Sequence, residues 1–121
     1  MEPTNPKDRQ AQQENKPDVT LIPLKVNLLE AQVMALGAKK YGAFNWRKDR
    51  VRMTVYLAAI YRHLAAFTER NDCDPESKIS HLAHIRANTG ILLDAIEHGT
   101  CYDDRPFVPT EGSPTGDKPH D

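Results

Sequence analysis

The chain has 121 residues, with 16 Lys and Arg against 17 Asp and Glu and a formal net charge of −1. That length fits one domain. The charge balance argues against a protein that binds nucleic acid through a general excess of positive charge, so no direct nucleic-acid binding is expected.

No apolar run follows Met1 in the manner of a signal peptide, and no stretch approaches the ~18 apolar residues of a membrane span. Two cysteines, Cys73 and Cys101, form no CxxC and suit a reducing, cytoplasmic setting. The first 17 residues hold no large apolar residue after Met1, and such a segment cannot bury enough surface to offset its ordering entropy. Residues 1–18 are expected to be an arm, flexible or closing over a ligand, and residues 19–102 the helical catalytic domain. A core of that size is marginal alone and is often completed by oligomerisation.

Residues 20–24 are expected to be extended, because Pro23 biases Ile22 away from helix. Asn27 can cap a first helix with Glu30 as its capping-box partner, running through Leu28, Val33, Met34 and Leu36 to a stop at Gly42. A polar loop, 43–49, follows. A second helix spans about 50–70. With His63 at zero on a helical wheel, Met53, Tyr56, Leu57, Ile60, Leu64 and Phe67 fall within roughly 20° to 120°. Residues 71–78 form an acidic loop, in which Ser77 or Asp74 can cap a third helix of about 78–98 that Gly99 terminates. On that helix, with His81 at zero, Ile79, Leu82, Ile85, Leu92, Leu93 and Ile96 occupy roughly 20° to 160°, and His84 and Asn88 lie just outside. Each helix is thus expected to bury an apolar stripe beside a polar edge, in an all-α antiparallel bundle. Residues 103–121 are expected to be a C-terminal tail.

Two groups of residues can carry chemistry. The first is Asp72, Asp74 and Glu76 followed by His81, His84 and Asn88. Histidines at i and i+3 leave a helix in the same direction and can bind one ion, and nearby carboxylates add hard oxygen ligands. The same His pair also suits a core edge, and the acidic loop also suits capping. The second group is Gly37-Ala38-Lys39-Lys40-Tyr41-Gly42 with Asn45-Trp46-Arg47. Lysines and an arginine there can meet phosphate oxygens, and two aromatic rings can face a base. Equally, the basic residues can satisfy a helix C-terminus and the Trp can be core. Arg62, mid-helix, needs an anionic partner, either an acid or a phosphate.

These pieces, together with Asn5-Pro6-Lys7-Asp8, Arg62-His63-Leu64, Asp74-Pro75-Glu76-Ser77, His81-Leu82-Ala83-His84 and Asp103-Asp104-Arg105-Pro106, resemble in order and spacing the phage dATP/dGTP diphosphohydrolase domain, a family similar to the MazG-like all-α NTP pyrophosphohydrolases. The resemblance implies a helical bundle that assembles into dimers or tetramers. It also implies Mg²⁺ or Mn²⁺, and cleavage of a purine deoxynucleoside triphosphate to monophosphate and pyrophosphate in the host cytoplasm. Some phages use the resulting dGMP to make 2-aminoadenine. MazG-like enzymes usually bind metal through Glu-x-x-Glu and a later Glu-x-x-Asp. Here the later pair is His81-x-x-His84, the earlier helix offers His63 and Glu69, and Asp74 and Glu76 can supply carboxylates. Lys78 stands where the pattern has Gly.

On this reading His63, Asp74, Glu76, His81 and His84 bind metal that neutralises the triphosphate and makes the attacking water more acidic. Glu76, His81 and His84 are the expected catalytic residues. Lys39, Lys40, Arg47 and Arg62 hold phosphates, with Lys7 reaching in from the arm. Tyr41, Asn45 and Trp46 meet base or sugar, although Asn45 can instead hold its loop. A non-catalytic helical binding module, and a phosphohydrolase giving other products, remain the competing classes.

Overall fold

The structure is a computed structural model described over residues 1–107; the part of the expected tail from 108 onward lies outside the described residues. Asn5 starts the first helix. Its Oδ1 accepts from the backbone N–H groups of Lys7 and Asp8, at 2.9 and 3.4 Å, and Pro6 takes the first helical position, where its missing N–H costs nothing. Helix α1 (Pro6–Gln13) therefore forms inside the segment expected to be an arm, flexible or closing over a ligand. Every residue of it is exposed. Capping alone specifies it, and the reading from apolar content missed that.

A single 3₁₀ turn (Val19–Leu21) leads into helix α2 (Leu24–Tyr41). This helix starts ahead of the expected cap, directly after Pro23. Asn27 and Glu30 are used elsewhere: Asn27 Oδ1 accepts from Arg86 Nη2 at 3.2 Å, and Glu30 Oε1 lies 3.6 Å from Arg86 Nε. Gly42, at φ 90°, ends the helix, a conformation that only glycine adopts freely. The expected loop 43–49 contains a one-turn helix, α3 (Asn45–Lys48).

Strand β1 (Val51–Arg52) pairs in parallel with β2 (Cys101–Tyr102), Val51 opposite Cys101. That pairing delays the second long helix, α4 (Met53–Thr68), which was expected from about residue 50. Asp104 caps it from the far end of the sequence, accepting from the Thr54 N–H at 2.8 Å and the Thr54 hydroxyl at 2.6 Å. A role thus emerges for one residue of the Asp103–Pro106 run.

Helix α5 (His81–Glu97) is capped by Ser80, whose Oγ accepts from the Leu82 N–H at 3.1 Å. Asp74 and Ser77 do not cap it. Asp74 instead closes the preceding turn, its Oδ2 accepting from the N–H groups of Glu76 and Ser77. Lys78 sits in that turn at φ 66°, the left-handed region that explains the glycine of the family pattern.

Both α2 and α4 pack on α5. The buried residues of α5 are His81, Ala83, Ala87, Leu92 and Ala95. Leu82, Leu93 and Ile96 are 45%, 66% and 51% exposed. The expected apolar stripe is therefore corrected. At ~100° per residue, three of its members face outward, and the small-residue side, where alanines let two helices approach, forms the contact. Among the described residues no helix is long and apolar enough to cross a membrane.

Candidate active site

Since α2 and α4 meet on α5, they leave a groove between them. A cavity of about 590 Å³ fills it, and its walls come from α2, α3, α4, the 71–80 loop and α5. A volume of that order suits a nucleotide-sized ligand.

One end of the cavity carries imidazoles and a carboxylate. His63 of α4 and His81 of α5 face each other with their Nδ1 atoms 2.8 Å apart. His63, Asp74 and His81 each offer a ligand atom within 4.8 Å of the others. Burial, reinforced by the neighbouring His84 and His81 rings, pushes His63 below the ordinary histidine range. It is therefore uncharged at neutral pH. Backbone N–H bonds, first from Ser77, hold the Asp74 carboxyl below its usual value in spite of some burial, so it is ionised there. His81 is 4% exposed, and its Nε2 is buried with no hydrogen-bond partner. A buried polar atom left unpaired costs on the order of 1–3 kcal/mol. The neutral imidazole of His63, the carboxylate of Asp74 and the buried imidazole of His81 fit a divalent cation.

His84 and Glu76 stand apart from this cluster. The His84 Nε2 is taken up by Ser77 Oγ at 2.7 Å, and the ring stacks on His63 with centroids 4.5 Å apart and planes 9° from parallel. Burial lowers the His84 pKa. Glu76 is solvated, with Lys40 Nζ 3.7 Å away.

The remaining walls bring Lys40, Tyr41, Asn45, Trp46 and Arg62 to the same cavity. The Asn45 amide Nδ2 donates to the Gly42 carbonyl at 3.2 Å, so it also holds its loop. Lys7 lies on the exposed helix α1, and Lys39 on the exposed side of the last turn of α2; neither lines the cavity. Arg47 does not line it either. Its Nε and Nη2 clasp Asp94 at 2.7 and 2.9 Å, with the guanidinium 4.5 Å from the Phe44 ring centroid. Arg47 was expected to hold phosphate; here a bidentate carboxylate already satisfies its guanidinium.

The sequence over residues 5–105 matches the family model described as dATP/dGTP diphosphohydrolase, N-terminal. The chain belongs to this family. A curated relative, a dATP/dGTP diphosphohydrolase of Salmonella phage PMBT28, is 28% identical over 92 residues, which cover 76% of this chain and 31% of that protein. The chain thus spans under a third of that relative's length. No solved structure matches significantly.

Within this dATP/dGTP diphosphohydrolase domain, reading the sequence missed two participants. Ser77 was weighed only as a cap, yet its hydroxyl fixes a cavity imidazole. Asp94, an ion-paired residue near the end of α5, also accepts from the Trp46 indole N–H at 2.7 Å. A signal existed for the second: a buried Trp needs an acceptor for its N–H, and the acidic residues on the third helix were the candidates.

Proposed function

We propose that the chain hydrolyses a purine deoxynucleoside triphosphate, dGTP or dATP, to the monophosphate and pyrophosphate with a divalent metal, in the manner of MazG-like pyrophosphohydrolases. One observation carries this reading. A single cavity joins the His63 and Asp74 end, backed by His81, to Lys40, Arg62, Tyr41 and Trp46. Family membership and the name of the phage relative agree with it.

His63, Asp74 and His81 would hold the metal, which supplies charge neutralisation at the phosphates and a more acidic water. Water attacks the α-phosphorus, the α–β P–O bond breaks, and pyrophosphate leaves. Lys40 and Arg62 hold the triphosphate and stabilise the charge that develops on the leaving group. His84, braced by Ser77, keeps the His63 ring in plane. Two imidazoles against one carboxylate suit Mn²⁺ better than Mg²⁺, which prefers oxygen. The purine stacks at the Tyr41 and Trp46 end. In a phage, the dGMP released supplies 2-aminoadenine synthesis.

The test is kcat/KM for dGTP, dATP, dCTP, dTTP and GTP under one metal condition. Both purine deoxynucleotides are expected to lead. Faster turnover of either pyrimidine than of both purines contradicts the reading; equal rates for dGTP and dATP remove only a guanine preference.

We further propose that the chain works as a homo-oligomer, a dimer or tetramer, joined through the outward face of α5. Leu82, Leu93 and Ile96 share that face and are exposed, an apolar stripe of the kind that marks an interface.

A further inference from the structure

Trp46 walls the cavity from a weak platform. Helix α3 is four residues long and has no side-chain cap, and it follows Phe44, whose φ of 56° is in the left-handed region. Local support is slight: the Asn45 amide holds the Gly42 carbonyl, and a few backbone bonds close the turn. Yet Trp46 is 6% exposed, and its anchor comes from 48 residues away. Its indole N–H donates to Asp94 Oδ2 at 2.7 Å. The same carboxylate takes both arms of the neighbouring Arg47, whose guanidinium lies against Phe44, and Phe44 in turn meets Trp46 with ring centroids 5.5 Å apart. Asp94 belongs to α5, the helix on which the other two long helices pack. One carboxylate on a rigid element therefore fixes the whole 44–47 segment.

We propose that Asp94 is a positioning residue for substrate: by holding Trp46 directly and Arg47 bidentately, it sets the aromatic wall against which the base packs, without touching the nucleotide itself. This rests on the nucleotide reading of the cavity given above. It assigns Arg47 to bracing that wall from outside the cavity and leaves phosphate binding to Lys40 and Arg62. A loose wall weakens binding of the base in the ground and transition states alike, so the loss falls on KM.

The chain has one tryptophan, so its fluorescence reports this wall alone. In Asp94→Asn, which keeps the shape but removes the charge and one of the two acceptor oxygens, Trp46 emission is expected to shift to the red and its anisotropy to fall. KM for dGTP is expected to rise about tenfold, the worth of one hydrogen bond of about 1.4 kcal/mol, with the loss borne by KM rather than kcat. Inorganic tripolyphosphate, which has no base, is expected to inhibit wild type and variant with the same Ki. Trp46→Phe keeps a ring and removes the N–H. It is expected to raise KM for dGTP in the same way and to make a further Asp94→Asn change less costly than it is in the wild type. Unchanged Trp46 emission, unchanged KM beside normal wild-type turnover, or a Ki for tripolyphosphate that rises as much as KM each overturns the positioning role. A wild-type chain that neither binds nor hydrolyses any nucleotide overturns the proposed function, and this inference with it.

Discussion

His81 is the residue on which the metal assignment turns. Its ring is buried with Nδ1 turned to His63, so a cation bound there would be held inside the fold. His63 and Asp74 are the groups close enough to share that cation. Calorimetric titration with Mn²⁺ is expected to show affinity reduced at least about tenfold by His81→Ala or His63→Ala, as for loss of a ligand or its direct support. Glu76→Ala is expected to leave Mn²⁺ affinity near wild type, since Glu76 is solvated beside Lys40. Loss of metal in Glu76→Ala with retention in His81→Ala would place the ligands elsewhere. Lys78 is a second residue with a direct test. At φ 66° its Cβ is strained by about 1–3 kcal/mol, part of which a glycine returns in unfolded-state entropy. Lys78→Gly is expected to stabilise the chain by about 0.5–1 kcal/mol in urea unfolding. A drop in stability would contradict the left-handed turn.

At the level of elements, the three long helices and the acidic loop were legible because apolar spacing, glycine stops and capping residues all pointed the same way. What was not legible has physical causes. The wheel on the third helix ranks residues by hydrophobicity, and alanines score low on that measure. Yet Ala83, Ala87 and Ala95 form the close contact, because a central helix between two others needs small side chains more than large ones. Helix α1 was missed because capping by Asn5 and Pro6 needs no apolar face. The β1–β2 pair, two residues each, is too short to leave a periodic signal. Of the candidate site, the histidines, Asp74, Lys40 and the aromatic pair were readable from motif and spacing. The separation of His84 and Glu76 from the metal cluster was not, because it depends on which neighbour, Ser77 or Lys40, takes each side chain. The pairing of Arg47 was not legible for the same reason: its partner lies 47 residues away on α5.

For the whole molecule, the outward face of α5 decides whether three helices suffice. Leu93, the most exposed of its apolar residues, is the place to test it. Sedimentation of the wild type at micromolar concentration is expected to give a dimer or tetramer, and Leu93→Lys to shift it towards monomer with helical content retained. A stable wild-type monomer would contradict the homo-oligomer. The functional claim concerns where the nucleotide breaks, and that is read from the products. The deciding measurement is turnover of dGTP with Mn²⁺ in ¹⁸O-labelled water. The expected result is one dGMP and one pyrophosphate per dGTP, with the label in dGMP, as attack at the α-phosphorus requires. Label in pyrophosphate or in inorganic phosphate, or release of tripolyphosphate, would contradict it.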